Sequence, residues 1–327
     1  MKYRTELDMA IAAVREASLL CRSVQSKSNT DSFEKDDRSP VTVADFGSQA
    51  IICRVIGDAF PDDPVIAEED ATALQDPANR LALERVVAEV SGLRGDVVES
   101  DVCTWINRGN GNKYSRRFWT LDPIDGTKGF LRDDQYAVAL ALIVDGELSV
   151  AALACPKLDF TFGADMSAGS IYAAVKGEGA WCYEIDGTRS ARIHVSETSD
   201  PVGARFCESV ESAHSSHSDS AELAKRLGIV RDPIRLDSQA KYAVVARGDA
   251  EIYLRLTKHT GYVEQIWDHA AGALVVGEAG GRVTDLNGRP LDFRHGPRLD
   301  QNIGIVATNG LLHDEVLATL ANILISD

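Results

Sequence analysis

Residues 122–130, which read DPIDGTKGF, constrain this chain of 327 residues more than any other segment. They place two carboxylates three residues apart, directly after a short run of strand-like composition. Pro123 fixes its own φ angle and favours an extended Asp122, whereas Gly126 permits a sharp bend before Thr127, where a helix can begin. The turn therefore offers oxygen ligands to a hard divalent cation and backbone N–H groups to a phosphate.

Other acidic residues follow apolar segments elsewhere in the chain. They are Asp45 after PVTVA, Glu68, Glu69 and Asp70 after VIA, and Asp268 in the heptapeptide IWDHAAG. A buried acid needs a compensating partner, and one cation can compensate several acids at once. The pattern therefore predicts one shared divalent-cation site, although local hydrogen bonding in a capped turn or at a helix end would also explain each acid by itself.

Three segments resemble the lithium-sensitive, magnesium-dependent phosphatases of the inositol monophosphatase superfamily: DPIDGTKGF at 122–130, IWDHAAG at 266–272 and AEED at 67–70. Two further segments, RLDSQAKY at 235–242 and IYLRL at 252–256, narrow the resemblance to its 3'(2'),5'-bisphosphate nucleotidases. The resemblance covers nearly the whole chain. It implies an α+β fold, a layered αβαβα sandwich with two lobes and the site between them, and inhibition by lithium.

The same resemblance assigns the metal ligands. It implies that two or three Mg²⁺ ions are bound by Glu68, Asp122, the Ile124 carbonyl, Asp125 and Asp268. Of the adjacent glutamates at 68 and 69, the first occupies the position of the family's metal ligand.

The resemblance also assigns a water-activating pair, Asp45 and Thr127. A hydroxyl beside a metal-activated water can pass the water's proton to a carboxylate. We therefore expect direct phosphoryl transfer to water without a covalent enzyme intermediate. From the residues alone, Asp45 would more simply be the N-cap of a helix over residues 45–60.

Substrate contacts implied by the resemblance are Gly126, Thr127, His214, Ser238, Lys241, Arg255 and Asp268. Backbone N–H groups of Gly126 and Thr127 would hold the scissile phosphate, and Lys241 and Arg255 would hold the second one. Arg255 stands between two leucines in a strand-like run, where a guanidinium needs an anionic partner.

Other motifs carry weaker signals. His214 and His217 form an HxxH pair without companion metal ligands, and either could contact the nucleotide. Cys155 and Cys182 could form a redox pair or could be buried thiols. The glycine pair within residues 109–111 lacks the third glycine of a dinucleotide-binding motif, so we interpret it as a loop.

Composition limits the classes of function. The chain has 34 Lys and Arg residues against 50 Asp and Glu residues, and the net charge of −16 argues against binding to nucleic acid or a membrane surface. A small phosphonucleotide can still bind, because metal ions invert the local charge. No apolar stretch is long enough to span a bilayer, and no secretory leader is visible. We expect a monomer or weak homodimer in the cytoplasm, or in an organelle if a transit peptide was removed.

The pattern of helices and strands changes along the chain. Residues 1–194 predict helices followed by a run of strands, including one at 160–164, and form an N-terminal α+β metal-binding lobe. Within them, residues 91–115 are rich in Gly, Asn and Ser and predict a loop or insertion. Residues 195–327 alternate strands with helices and predict a C-terminal α/β substrate lobe.

The leading hypothesis is Mg²⁺-dependent hydrolysis of the 3'-phosphate of adenosine 3',5'-bisphosphate to AMP and phosphate, as in sulfur assimilation. A further candidate substrate is 3'-phosphoadenylyl sulfate. The alternatives are an inositol polyphosphate 1-phosphatase and a non-catalytic sensor of phosphonucleotides. An apolar or aromatic slot for adenine would distinguish the first alternative, and the full set of acids with Asp45 and Thr127 argues against the second.

Overall fold

The computed structural model describes residues 2–27, 32–34, 40–160, 169–185, 187, 189–210, 217–256 and 262–324. In this part of the chain the helices are α1 Arg4–Ser26, α2 Val43–Ala59, α3 Thr72–Gln75, α4 Arg80–Arg94, α5 Glu99–Asn107, α6 Thr127–Leu131, α7 His217–Leu227, α8 Ala240–Ala246, α9 Ala270–Glu278 and α10 His313–Leu324. The strands are β1 Ser32–Glu34, β2 Pro40–Thr42, β3 Val65–Ala67, β4 Arg117–Asp125, β5 Ala137–Val144, β6 Glu147–Cys155, β7 Ser170–Val175, β8 Gly179–Glu184, β9 Ser190–Ile193, β10 Phe206–Glu208, β11 Ile234–Arg235, β12 Ile252–Arg255, β13 Arg282–Thr284 and β14 Ile305–Thr308.

The strands form two large sheets and one short hairpin. A seven-stranded sheet has the order β3-β4-β5-β6-β7-β8-β9 and is antiparallel except for the parallel pair β3–β4. A five-stranded mixed sheet has the order β11-β10-β12-β14-β13, and β1 pairs with β2 separately. Strands β5, β6 and β7 are buried almost from end to end, as expected when helices cover both faces of a sheet.

The helices and the two sheets stack in five layers. Helices α1 and α2 cover one face of the seven-stranded sheet, while α8 and α9 lie between this sheet and the five-stranded one. Helices α7 and α10 cover the outer face of the five-stranded sheet over a third apolar cluster. This arrangement confirms the αβαβα sandwich that the resemblance implied.

The central helix layer depends on close packing between α8 and α9. Seven of the nine residues of α9 are buried, in agreement with its position between two sheets. A methyl group added at Gly272 would lie 2.3 Å from a ring carbon of Tyr242. Only glycine therefore lets α9 approach α8 closely enough to bring the segment before α9 to the site.

Some local predictions from the sequence were wrong. Residues 91–115 are not one loop, because α5 lies within them and buries Val102, Cys103 and Ile106 on one face. The short strands β8, β9 and β13 were not predicted. The predicted strand at 160–164 lies almost wholly outside the described residues. In the described ranges, none of the helices combines the length and the apolar character needed to cross a membrane.

Candidate functional site

The acidic turn lies at the end of β4, where the strand leaves the seven-stranded sheet. The pairing of β4 with β5 is irregular between Asp122 and Asp125, so the chain bulges at this point. Gly126 has a φ of 90°, and α6 begins at the next residue. Ser48 on α2 donates a hydrogen bond of 2.8 Å to the Pro123 carbonyl and holds the turn against the helix.

Strand β3 brings Glu68 to the same edge of the sheet. Ala67 pairs with Leu121 in parallel register, and the Glu68 amide donates to the Leu121 carbonyl at 3.2 Å. Glu68 and Asp122, which follow this pair, therefore lie side by side. Their carboxyl groups are within hydrogen-bonding reach of each other.

Gln239 connects this edge to the second half of the chain. Its backbone N–H donates to Asp125 Oδ2 at 2.6 Å, and its side-chain Nε2 donates to the Trp267 carbonyl at 2.8 Å. Asp268 follows directly, and its charge acts on both Asp122 and Asp125. The structure thus brings together Glu68, Asp122, Asp125 and Asp268, although they come from four separate segments.

Burial and repulsion from neighbouring acids both disfavour the ionised forms in this group. Burial raises the pKa of Asp122 well above its usual range, and the charges of Glu68, Asp125 and Asp268 raise it further. Burial also raises the pKa of Asp268 well above normal, against the opposing charge of Arg255. The pKa of Asp125 is raised by burial, although Lys241 and Arg255 oppose the shift. The chain alone does not neutralise this cluster.

A divalent cation fits the cluster. Asp122 is 2% exposed, and its Oδ1 has no hydrogen-bond partner among the described residues. The donor set consists of carboxylate oxygens and, at the same turn, the Ile124 carbonyl, which are the ligands that Mg²⁺ prefers. We name Glu68, Asp122, Asp125 and Asp268 the acid cluster.

Asp45 and Thr127 meet beside the acid cluster. The Thr127 hydroxyl lies 3.2 Å from Asp45 Oδ1 and also 3.2 Å from the Ile124 carbonyl. Asp45 Oδ2 accepts hydrogen bonds from the N–H of Thr42 at 2.8 Å and from its hydroxyl at 2.6 Å. Asp45 is therefore not the N-cap: Thr42 caps α2, and Asp45 is the third helical residue of a capping box. One carboxylate oxygen holds the helix end and leaves the other for Thr127.

Basic and polar residues lie on the side of the five-stranded sheet. Ser238 has a φ of 72°, which is rare for a residue with a side chain, and a methyl group on Gly126 would lie 3.1 Å from the Ser238 Cβ. Lys241 is 6% exposed, and its Nζ donates to the Leu236 carbonyl at 3.4 Å. Burial lowers the pKa of Lys241, and the charge of Asp125 opposes this shift.

Arg255 stands closer to the acids. Its Nε lies 2.8 Å from Glu264 Oε2, and one terminal nitrogen lies 3.7 Å from Asp268 Oδ2. These carboxylates raise the pKa of Arg255 well above normal despite its burial. Since the Arg255 and Asp268 side chains are 18% and 19% exposed, an anionic ligand can reach the guanidinium from solvent.

Two further sets of predicted residues are not among the contacts given above. His214 lies outside the described residues, and of His217 only the backbone is described, at the start of α7. Cys155 and Cys182 are free and buried, so they form no disulfide in this structure. Burial raises the pKa of Cys182 to about 11, which makes its thiol a poor nucleophile.

The sequence reasoning missed three buried residues at the site. Gln239 joins Asp125 to the segment before α9, and Glu264 and His269 contact each other at 3.0 Å behind Arg255. Gln239 is part of the DSQAKY segment and His269 is part of the IWDHAAG motif, so both belonged to recognised motifs but were assigned no role. Glu264 had no signal in the sequence beyond its closeness to that motif.

The comparisons with known proteins agree with this geometry. The profile of the inositol monophosphatase family matches residues 2–325. A 3'(2'),5'-bisphosphate nucleotidase of Schizosaccharomyces pombe is 40% identical and aligns with 100% of this chain and 98% of its own. Another, from Emericella nidulans, is 41% identical over 99% of both chains.

Solved structures support the fold at lower sequence identity. The Thermotoga maritima IMPase is 22% identical, with a TM-score of 0.67 over 98% of this chain and 99% of that one. The extragenic suppressor protein SuhB from Bartonella henselae is 20% identical, with a TM-score of 0.66 over 97% and 98% of the two chains. With a family profile over nearly its full length and relatives at this identity, the chain belongs to the inositol monophosphatase family.

Proposed function

We propose that this chain is a 3'(2'),5'-bisphosphate nucleotidase that hydrolyses the 3'-phosphate of adenosine 3',5'-bisphosphate to AMP and phosphate. The observation that carries the proposal is the acid cluster, whose mutually repelling carboxylates surround the buried Asp122 and need a cation. The names of the relatives at 40% and 41% identity support the choice of substrate. In this proposal residues 1–194 form a metal-binding lobe and residues 195–327 a substrate lobe.

Divalent-metal dependence is general for proteins of this family fold. We propose that two or three Mg²⁺ ions are held by Glu68, Asp122, the Ile124 carbonyl, Asp125 and Asp268. When bound there, Mg²⁺ supplies an acidified water and compensates the charge of the phosphate.

The residues of the chain handle the proton and the orientation of the substrate. The Thr127 hydroxyl, 3.2 Å from Asp45 Oδ1, relays the proton of the attacking water to Asp45. Asp45 stays in position because Thr42 holds its other oxygen. Backbone N–H groups at Gly126 and Thr127 orient the scissile phosphate.

The second phosphate meets the basic side of the site. Arg255, at the end of β12, offers a planar guanidinium. Ser238 lies on the adjacent turn, and Lys241 lies on α8. His214 or His217 is the proposed contact to the nucleotide. A substrate with two phosphates therefore gains a contact that a monophosphate lacks.

Phosphate release from a panel of substrates tests the function. The panel contains adenosine 3',5'-bisphosphate, inositol 1,4-bisphosphate, inositol 1-phosphate and fructose 1,6-bisphosphate, each with Mg²⁺, with Mg²⁺ plus lithium, and with a chelator. We expect the nucleotide to have the highest kcat/KM, lithium to inhibit, and the chelator to abolish turnover. Preference for inositol 1,4-bisphosphate would indicate the inositol polyphosphate phosphatase instead, and binding without turnover would indicate a sensor.

Substitution of Arg255 tests the contact to the second phosphate. We expect Arg255→Ala to raise KM for adenosine 3',5'-bisphosphate roughly 10-fold or more, because a charge-assisted hydrogen bond contributes about 1.5–3 kcal/mol. KM for a monophosphate should change much less. Arg226→Ala, at an exposed pair with Glu222 on α7, is the matched control and should leave both KM values unchanged. Equal increases for both substrates would contradict the assignment.

A further inference from the structure

A buried chain of hydrogen bonds lies behind Arg255, and the proposed mechanism does not use it. The Tyr242 hydroxyl lies 2.8 Å from His269 Nδ1, and His269 Nε2 lies 3.0 Å from Glu264 Oε2. The same Glu264 oxygen lies 2.8 Å from Arg255 Nε. Tyr242 and His269 are fully buried and Glu264 is 2% exposed, so this arrangement is shielded from water.

The chemistry of the groups fixes the direction of this chain. An ionised carboxylate only accepts hydrogen bonds, so both His269 Nε2–H and Arg255 Nε–H donate to Glu264. A neutral imidazole with its proton on Nε2 accepts at Nδ1, and the Tyr242 hydroxyl therefore donates there. The Glu264 carboxylate is consequently held in one place from two sides.

Glu264, Asp268 and His269 could be mistaken for a metal site, since their ligand atoms lie within 4.8 Å of one another. Both ring nitrogens of His269 are already hydrogen-bonded, and Arg255 already supplies a positive charge to Glu264. A cation at this place would compete with the guanidinium. The group is better explained as a support for Arg255.

The position of Arg255 shows what this support does. One terminal nitrogen donates to the Tyr262 hydroxyl at 3.1 Å but stops 3.7 Å from Asp268 Oδ2, beyond hydrogen-bond distance. A guanidinium that is free to move next to a carboxylate would form direct hydrogen bonds to it. The bond from Nε to Glu264 anchors the opposite edge of the group.

We propose that Glu264 is a positioning residue that keeps Arg255 from forming a direct hydrogen bond to Asp268. Asp268 thereby keeps its oxygens for the metal, and Arg255 keeps N–H groups for the second phosphate. The inference rests on the proposed function, because it gives Asp268 a metal to bind. Tyr242 and His269 act through Glu264 by fixing its carboxylate.

A double-mutant cycle separates this role from a simple loss of charge. In Glu264→Gln the neutral amide holds the guanidinium less tightly than the carboxylate does, and Arg255 can move onto Asp268 and compete with the metal. Removing a negative charge near the site also weakens cation binding, but that effect does not depend on Arg255. The two explanations therefore differ in the background of Arg255→Ala, where the competitor is absent.

The experiment measures Mg²⁺ binding by isothermal titration calorimetry without substrate. The proteins are the full-length wild type, Glu264→Gln, Arg255→Ala and the double variant, with thermal melts of each. We expect Glu264→Gln to weaken Mg²⁺ binding roughly 10-fold, the lower end of the range for residues that orient metal ligands. In the Arg255→Ala background the same change should weaken it less than about 2-fold. In turnover assays, excess Mg²⁺ should restore kcat of Glu264→Gln, which a folding defect would not allow.

Three results would overturn the inference. One is Mg²⁺ binding by Glu264→Gln equal to that of the wild type, and another is an equal loss in both backgrounds. A wild type that binds no Mg²⁺ would remove the proposed function as well, so the two failures are distinguishable. The exposed change Glu222→Gln is the control for an acid-to-amide substitution and should have no effect.

A second variant covers the case in which Glu264→Gln does not fold. Tyr242→Phe keeps the buried ring and removes only the hydroxyl that orients His269. We expect Tyr242→Phe to weaken Mg²⁺ binding by a smaller factor than Glu264→Gln does. In the Arg255→Ala background, Tyr242→Phe should have no effect on Mg²⁺ binding. Unchanged Mg²⁺ binding in a folded Tyr242→Phe protein would show that Tyr242 does not help to fix Glu264 through His269. It would contradict the proposed chain of hydrogen bonds from Tyr242 to Arg255.

Discussion

Asp122 and Glu264 are both 2% exposed, yet their pKa values move in opposite directions. Burial raises the pKa of Asp122, and the neighbouring acids raise it further. Burial acts on Glu264 in the same way, but the hydrogen bond from His269 and the charge of Arg255 outweigh it and lower the pKa. The same buried functional group thus lies among like charges in one place and beside a guanidinium and an imidazole in the other.

This difference separates a ligand site from a supporting structure. An acid surrounded by acids destabilises the fold until a cation binds, whereas an acid paired with a guanidinium and an imidazole completes a local network. The acid cluster lies at one edge of the seven-stranded sheet. Glu264, with its partners Arg255 and His269, lies beside the five-stranded sheet. In the proposed function, the acid cluster binds the metal and Arg255 binds the second phosphate.

The largest expected effect comes from Asp122→Asn, compared with Glu264→Gln. Asp122→Asn should reduce kcat/KM on the order of 10³-fold, because metal stabilisation of the transition state is worth several kcal/mol. In a chelator, however, it should stabilise the protein by about 1–3 kcal/mol, since it removes an uncompensated buried charge. Glu264→Gln should destabilise by about 3 kcal/mol, because it removes the buried anion that Arg255 and His269 contact.

Thermal and chemical denaturation of both variants in a chelator checks the opposite signs. Glu222→Gln, at an exposed pair, is the control for the substitution itself and should change the free energy of unfolding very little. If both buried variants shifted stability in the same direction, the contrast between the two regions would be wrong.

Asp45 is another buried acid, and it accepts hydrogen bonds from the neutral donors of Thr42 and Thr127. We expect Asp45→Asn to fold and to bind Mg²⁺ as the wild type does, because the amide oxygen still accepts one of these hydrogen bonds. It should lower kcat by about 10²- to 10⁴-fold, the usual contribution of a general base. Turnover near the wild-type value would exclude Asp45 from the mechanism.

The pH dependence of stability should reveal the uncompensated acids directly. Because the pKa values of Asp122 and Asp268 are raised in the folded state, that state binds more protons than the unfolded chain above the ordinary carboxyl pKa of roughly 4. Their contribution to stability is therefore complete below that pH and is lost as the pH rises through the raised values. In a chelator, the melting temperature of the wild type should fall relative to that of Asp122→Asn as the pH rises above the ordinary carboxyl range. Saturating Mg²⁺ should remove the difference in slope, and identical slopes in the chelator would contradict the assigned pKa shifts.

The acid cluster was predictable from the sequence because its members stand in local patterns. The spacing of Asp122 and Asp125 around Pro123, followed by Gly126, defines a turn before the fold is known. Glu68 and Asp268 also follow apolar runs, so their convergence could be predicted even without the sheet register. The five-layer order came only from the resemblance, since periodicity does not tell which faces of the helices meet.

Glu264 and its partners were not predictable, because Glu264 stands in no local sequence pattern. Glu264 lies nine residues after Arg255 and five before His269, at spacings that match neither a strand nor a helix. Its burial results from contacts among β12, the segment before α9 and the Tyr242 hydroxyl of α8. Asp45 was misread locally because Thr42, three residues earlier, is the better N-cap and forms the capping box with it.

The smallest expected effect concerns the turn at Ser238, which joins the two regions through the bond from Gln239 to Asp125. At a φ of 72° a side chain costs about 1 kcal/mol, which glycine avoids. Both Ser238→Gly and Ser238→Ala lose the hydrogen bond from the Ala240 N–H to the serine hydroxyl, so comparing the two isolates the backbone strain. After allowance for the greater freedom of glycine in the unfolded chain, the Gly variant should be more stable than the Ala variant by about 0.5 kcal/mol in urea denaturation. An Ala variant as stable as the Gly variant would mean that the turn is not strained. The backbone that bonds Asp125 through Gln239 would then adopt this conformation without cost.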